Sequence, residues 1–294
     1  MSLKFYQPLE LTEAVELLTS SPGVGKLLAG GTDLVLHMRE GKVKPDFVVD
    51  LSKIQELRFI KSEAGLIRIG SMTTFTELHT SPLLRERVTC LAEAAGFVGS
   101  PQIRNQGTVG GNIANASPAA DSVPALVALG AVVKITGGAG TREAKLSDIL
   151  VGAGKNNLAP DEIITEVYFS EPNPVAVSAF VKLGRRKALA ISRISVAVLV
   201  ALDSPGEKVI EARIGLGAVA PNPFRVTTGE AALLHRGLTP EGMEEAVEAV
   251  CAEASATLGN RASAVYKKAA VRGVAREALA RVYRNLTEGG RQHA

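Results

Sequence analysis

The sequence predicts an α+β protein of two domains, and three observations predict it. The chain has 294 residues, which by length alone corresponds to about two domains. Up to Pro172 and Pro174, short apolar runs alternate with short helical patterns. Beyond those prolines come three strand-like runs and then two long amphipathic stretches, the order expected of a separate α+β unit of antiparallel strands plus helices. The expected domains are residues 1–174, with an internal boundary near 55–62, and residues 175–294.

Each element has a local reason. Leu11–Leu18 has helical periodicity and Pro22-Gly23 stops it. Lys26–Leu28 reads as a strand, Leu34–Arg39 as a short helix, and Phe47–Leu51 as a buried strand. Leu66–Ile69 alternates as a strand does, and Thr74-x-x-Glu77 is a capping box that starts a helix. Leu83–Ala95 is helical in pattern, and the glycine-rich segment after it reads as irregular. Pro124 suits the first turn of a helix that Gly130 ends. Ala131–Thr136 and Thr141–Lys145 form a hairpin pattern, and Ile163–Phe169 is a further strand. Strands are expected at Ser178–Leu183, Ile194–Leu202 and Val209–Val219, and helices near Glu241–Ala254 and Ala262–Asn285, the first entered through Thr239-Pro240.

Composition excludes several classes. A net charge of +3, aromatics at 4% and the absence of Trp argue against a nucleic-acid surface. The most apolar run, Ile194–Leu202, is far shorter than the roughly 20 residues of a membrane span. Lys4 and Glu10 flank a start without an apolar leader, so a soluble, cytoplasmic protein is expected. Cys90 and Cys251 cannot supply the four thiolates of an iron–sulfur cluster and read as small buried hydrophobes, and the four histidines show no metal-ligand spacing.

The informative segments are two diglycine stretches, LAGGTDL at Leu28–Leu34 and TVGGNIANASPAAD at Thr108–Asp121. Glycines let the chain lie close against a ligand, and successive N–H groups in such turns form nests for phosphate oxygens. Thr32, Thr108, Asn112 and Asn115 add polar donors, and two loops of similar grammar suggest a pyrophosphate held from two sides. Asp121 suits a ribose or ribityl hydroxyl, or the N-cap of the helix containing Pro124. Arg104 suits either the pyrophosphate or an ordinary structural role. Other glycine motifs are decoys. Gly215-Leu-Gly217-Ala-Val-Ala220 has the spacing of a dinucleotide turn, but Pro221 and Pro223 forbid the helix that turn must open. It reads as a strand whose glycines permit close packing. Gly152-Ala-Gly154-Lys155 and Gly23-Val-Gly25-Lys26 lack the phosphate-loop spacing and read as turns.

Ala29–Leu34 matches the AGG-x-[ST/D]-L motif, and Thr108–Asp121 the [ST]-x-GGN-x5-P-x-x-D motif, of the FAD-binding subunits of the molybdenum hydroxylases. The chain resembles that family, which includes xanthine, carbon monoxide and nicotinate dehydrogenases. Ile103–Gly107, Phe180–Ala188 and Ile191–Arg193 also look like it, so the resemblance covers nearly the whole chain. It implies an FAD domain of the vanillyl-alcohol-oxidase/p-cresol-methylhydroxylase type, followed by a smaller α+β domain. It implies non-covalent FAD bound at Leu28, Ala29, Gly30, Gly31, Thr32, Asp33 and Leu34 and at Thr108, Gly110, Gly111, Asn112, Ala114 and Asn115, with backbone groups of Ala29–Thr32 and Thr108–Asn112 cradling the pyrophosphate. Asp121 would hold the sugar, Leu158 would lie near the isoalloxazine, and Phe97 would pack on the ring. Lys182 would approach the pyrimidine edge, where a cation stabilises developing negative charge; its other reading is a strand lysine facing solvent.

The molybdenum cofactor and iron–sulfur clusters are then expected only on partner subunits. Electrons would pass from an iron–sulfur subunit, served by a molybdenum-binding subunit, through FAD to NAD+ or another acceptor. No catalytic acid, base or metal ligand is expected here. A stand-alone FAD oxidase or reductase of the same fold, with His37 near a covalent attachment point, and a flavin-free scaffold are the alternatives.

Overall fold

The computed structural model describes residues 3–186, 189–203 and 208–289. The chain forms two compact units that interleave along the sequence. The first comprises Met1–Leu78, Ser100–Ser117 and Ala131–Ser170, and the second His79–Gly99, Pro118–Gly130 and Glu171–Ala294. A linear division at residue 174 therefore differs from the compact units at segments 79–99 and 118–130, which belong with the C-terminal part.

The first unit contains two main sheets. Phe47–Asp50, buried throughout, is the middle strand of a parallel sheet between Lys4–Tyr6 and Gly25–Leu28. Helix Leu11–Ser20 sets Ala14 into the core formed with Phe47, Val49 and Leu51. The second sheet is antiparallel, in the order Ile60–Glu63, Leu66–Gly70, Ile163–Ser170, Val132–Gly137, Gly140–Lys145. Its strand Val132–Gly137 alternates between buried and half-buried positions, as a sheet with one covered face requires. The capping box is present: Glu77 Oε2 accepts from Thr74 N at 2.8 Å, and Thr74 Oγ1 accepts from Glu77 N at 3.3 Å.

The second unit is built on an antiparallel sheet in the order Val177–Leu183, Ile194–Leu202, Val209–Gly217, Phe224–Arg225. Every residue of Ile194–Leu202 is buried, because helices cover both faces of the sheet. On one face Val196, Val198 and Val200 join a core with Val247, Val250, Val271 and Leu279 of the helices Pro240–Leu258 and Ala264–Gly289. On the other face lies helix Ser122–Ala128, with Pro124 against Gly215 and Gly217. That contact explains the decoy motif. A β-carbon on Gly215 would stand 2.1 Å from the Pro124 carbonyl oxygen, and one on Gly217 would stand 2.4 Å from Pro124 Cγ.

Two expectations are corrected, and one helix was not expected. The Leu83–Ala95 pattern is two helices, Pro82–Arg87 and Thr89–Gly96, broken at Val88 (φ −145°, ψ 57°). The glycine-rich segment is helical over Pro101–Gln106 and Val109–Asn115. Helix Thr227–Arg236 was hidden by Gly229 in its first turn and by the prolines ahead of it. No helix among the described residues is long and apolar enough to cross a membrane.

Gly215→Ala is expected to lower the unfolding free energy by about 1–3 kcal/mol through overpacking on Pro124. Gly273→Ala, in a helix and with open space around the added carbon, is expected to raise it by about 0.5–1 kcal/mol. Urea denaturation of the two variants checks both signs.

Candidate functional site

In the first unit the two diglycine segments meet. A β-carbon on Gly30 would lie 1.9 Å from the carbonyl oxygen of Gln106, at the foot of helix Val109–Asn115. One on Gly111 would stand 3.5 Å from Ala29 Cβ. One on Gly110 would stand 2.6 Å from Ser71 Cβ. Gly31 is glycine for a different reason, its φ of +69°. Gly30 and Gly110 thus serve close approach of the chain to itself, a β-carbon on Gly111 would meet Ala29 at an ordinary contact distance, and Gly31 serves backbone conformation.

The two segments differ in what they offer a ligand. Gly30, Gly31, Thr32 and Asp33 lie between strand Gly25–Leu28 and helix Leu34–Arg39, and among the described residues their N–H groups have no hydrogen-bond partner. Gly30, Gly31 and Thr32 are half-buried. The Thr32 hydroxyl makes only a long contact of 3.4 Å to Asp33 Oδ2. This run of unpaired amides has the donors that an anion nest requires.

The second segment is not such a nest, and that expectation is corrected. Val109 N donates to Thr73 O and Gly110 N to Ser71 O, at 3.0 and 2.9 Å. Gly111 N donates to Thr108 Oγ1 at 3.1 Å, and Asn112 N to Thr108 O. Thr108 is buried and acts as the N-cap. Folding has used the backbone donors, and what remains is the Gly111 surface beside Ala29 together with half-buried Asn112, Ala114 and Asn115. The Asn115 side chain has no protein partner among the described residues.

Sequence reasoning missed Asn156 and Ser71. The helix Val109–Asn115 ends at Ala116 in a left-handed conformation, φ 50° and ψ 36°. Its free carbonyls are then capped by the small hairpin that looked like a phosphate-loop fragment. Asn156 Nδ2 donates to Ala114 O at 2.6 Å, and Gly154 N donates to Ala116 O at 2.9 Å. Asn156 Oδ1 also accepts from Leu158 N at 3.0 Å, which fixes Leu158 relative to the glycine helix. Only the Asn next to a turn could have signalled this. Ser71 Oγ, beside Gly110, is buried without a hydrogen-bond partner, and nothing in its sequence context marks it.

Phe97, Asp121 and Lys182 belong to the second unit, and there they converge. Lys182 Nζ donates to Asp121 Oδ2 at 2.7 Å and to Phe97 O at 3.2 Å, and lies 5.9 Å from the centre of the Phe97 ring. The Lys182 side chain is only 6% exposed, so the reading of a solvent-facing strand lysine fails. Ser192 Oγ donates to Asp121 Oδ1. Asp121 occupies the N-cap position of helix Ser122–Ala128, but its side chain does not cap; it serves Lys182 and Ser192 instead. Burial pushes its carboxyl above the usual range, against the opposing pull of Lys182 and the Ser192 hydroxyl.

Phe97, Lys182, Leu183, Arg185, Arg186, Leu189 and Ala190 line a cavity of about 320 Å³. Lys187 and Ala188, part of the stretch singled out in the sequence, lie outside the described residues. Arg104 is half-buried and has partners of its own. His37 sits within helix Leu34–Arg39. Cys90 is buried with its thiol pushed up to about 12 by desolvation, which makes it inert at neutral pH.

Asn156→Ala is expected to cost about 1–2 kcal/mol of stability and to speed hydrogen exchange at the Leu158 amide roughly tenfold. Exchange measured residue by residue checks whether the effect is centred on Leu158 and helix Val109–Asn115.

Comparison with known proteins gives this geometry a family. The sequence model for the FAD binding domain in molybdopterin dehydrogenase matches residues 1–172, and that for the CO dehydrogenase flavoprotein C-terminal domain matches residues 179–282. The chain is 38% identical over 291 residues to the nicotinate dehydrogenase FAD-subunit of Eubacterium barkeri, covering 98% of each. It is 31% identical over 276 residues to the carbon monoxide dehydrogenase medium chain of Hydrogenophaga pseudoflava, covering 94% of this chain and 95% of that one. The solved carbon monoxide dehydrogenase of H. pseudoflava superposes with a TM-score of 0.88 at 31% identity, over 96% of this chain and 98% of the other. Quinoline 2-oxidoreductase from Pseudomonas putida 86, at 23% identity, matches with a TM-score of 0.87 over 97% and 98%, a likeness of fold. The chain therefore belongs to the family of molybdopterin dehydrogenase FAD-binding subunits, and it is an FAD-dependent oxidoreductase subunit of that kind.

Proposed function

We propose that the protein is the flavin subunit of a cytoplasmic molybdenum hydroxylase complex, passing electrons from the iron–sulfur clusters of a partner subunit to NAD+. The observation that carries this reading is the run of unpaired amides at Gly30–Asp33, pressed against the glycine helix Val109–Asn115. The donor set fits FAD. Unpaired N–H groups and the Thr32 hydroxyl suit a pyrophosphate. The flat Gly111 surface admits close approach, and the side chains of Asn112 and Asn115 suit polar edges of the nucleotide. In the second unit, Asp121 keeps acceptor capacity for a sugar hydroxyl beyond its two present bonds, while Lys182 and Phe97 are assigned to the flavin ring. Leu158 is assigned to the ring as well, a reading supported by the Asn156 bond that fixes it beside helix Val109–Asn115.

FAD supplies the redox chemistry; the chain binds it, orients it and sets its electrostatic surroundings. No residue of this chain is asked to act as acid, base or nucleophile. The molybdenum cofactor and the iron–sulfur clusters are placed on two partner subunits, where the hydroxylated substrate is also selected. Arg185 and Arg186 on the cavity beside Lys182 favour a phosphate-bearing acceptor such as NAD+ over an uncharged quinone.

The purified chain is expected to carry an absorbing flavin that denaturation releases as free FAD; a colourless protein that takes up no FAD would sink the proposal, and flavin retained on the denatured polypeptide would point to a stand-alone covalent flavoenzyme. Gly31→Val, which strains the positive φ and crowds Leu28 and Val35, is expected to weaken FAD binding at least tenfold in a fluorescence titration. Arg185→Gln in the complex is expected to raise KM for NAD+ several-fold; an unchanged KM would remove the acceptor assignment.

A further inference from the structure

Resting on the assignment of Lys182 to the flavin ring, we propose that Ser192 is a positioning residue that keeps Asp121 ionised and thereby sets how much positive charge Lys182 presents to the flavin. The geometry is a buried relay of three side chains. Lys182 Nζ sits on Asp121 Oδ2 at 2.7 Å, and Ser192 Oγ sits on the other oxygen, Oδ1. Asp121 and Ser192 are 6% and 5% exposed, so water does not replace either bond. Ser192 is itself fixed, because the next residue closes the loop at the sheet end through Arg193 N to Leu183 O at 2.8 Å.

An ammonium in contact with a carboxylate shows its surroundings little net charge, and an ammonium beside a neutral carboxylic acid shows all of it. Which state holds depends on what stabilises the carboxylate. Burial disfavours the ionised form, and Lys182 and the Ser192 hydroxyl favour it. Ser192 does so without adding charge of its own, so it can tune the pair without contributing to the field.

The other groups packed around this relay do not duplicate it. Helix Thr89–Gly96 brings Glu93, whose carboxylate accepts from Phe180 N at 2.7 Å and faces Arg281. It also brings Cys90, whose thiol lies at about 12. Phe97 and Phe180 carry no charge, and their rings are 5.9 Å apart. Arg185 and Arg186 line the neighbouring cavity, and Arg193 stacks on Tyr266 with Lys267 close by. Burial holds the Glu93 carboxyl above its ordinary range, so Glu93 needs its own control; His79 Nδ1 lies 2.9 Å from Ala92 O on the same helix.

The test is the midpoint potential of FAD in the purified complex, followed from mildly acidic to mildly alkaline pH. In the wild type, the potential changes slope where Asp121 takes up its proton. Ser192→Ala is expected to move that break to higher pH by about one unit, the worth of one hydrogen bond to a charged group. Ser192→Thr restores it, and Glu93→Gln leaves it in place. Asp121→Asn is expected to abolish the break and raise the potential on the alkaline side, because Lys182 is no longer neutralised. Lys182→Met is expected to lower the potential with FAD still bound.

Superposable curves for Ser192→Ala and wild type, together with a lowered potential in Lys182→Met, overturn the role of Ser192 and leave the flavin assignment standing. A break that survives Asp121→Asn, or that moves in Glu93→Gln, overturns it as well, and Asp121→Asn decides the matter if Ser192→Ala fails to fold. A potential unchanged by Lys182→Met, with FAD bound, overturns the assignment of Lys182 and this inference with it.

Discussion

The first unit depends on backbone segments far apart in sequence lying in direct contact. Gly30 leaves no room for even a methyl group before the Gln106 carbonyl, and Gly110 leaves none before Ser71. These contacts draw the loop after strand Gly25–Leu28 onto the helix Val109–Asn115, and both onto the edge of the antiparallel sheet at Ser71. Any side chain at either glycine would push the segments apart by more than a hydrogen bond can tolerate. The cost of ordering them is offset by satisfying the first turn of that helix internally, through Thr73, Ser71 and Thr108. Of the two segments, among the described residues, the loop at Gly30–Asp33 keeps a run of unpaired backbone donors.

In the second unit the dominant feature is electrostatic. A lysine and an aspartate are both buried, and each would be costly alone. The pair is acceptable because the two charges meet and two further polar groups, the Phe97 carbonyl and the Ser192 hydroxyl, bond to them. Such a pair is weak evidence for stability but fixes geometry, since either member without the other leaves an uncompensated charge. It also ties the chain around Phe97, Asp121, Lys182 and Ser192 into one arrangement. In a subunit whose chemistry belongs to its cofactor, arranging charge is the main contribution the protein makes.

Much of this was legible because local chemistry dictates it. The Thr74–Glu77 capping box, the Thr239 cap on Gly242 N, and the alternating and all-apolar strands each formed where their residue patterns required. The decoy at Gly215–Ala220 was readable as a strand because two prolines rule out the competing helix. Other features were not legible. Val109–Asn115 contains a diglycine, and its first N–H groups are accepted by Ser71 and Thr73, in the turn after strand Leu66–Gly70. Asn156 looks like an ordinary turn residue until the hairpin folds onto Ala114, 42 positions earlier. Ser192 is one serine among many until the fold brings it against Asp121.

By itself the sequence determined most element types, the glycine positions and the family motifs. These depend on residues within a few positions of one another, where periodicity, capping and permitted φ values act directly. Tertiary structure alone decided which diglycine keeps free amides, that Lys182 is buried against Asp121 rather than turned to solvent, and that Ser192 and Asn156 hold the neighbouring groups in place. Those outcomes turn on donors and acceptors brought together from distant parts of the chain. A hydrogen bond or a buried charge has no definite worth until the fold determines its partner and its exclusion from water.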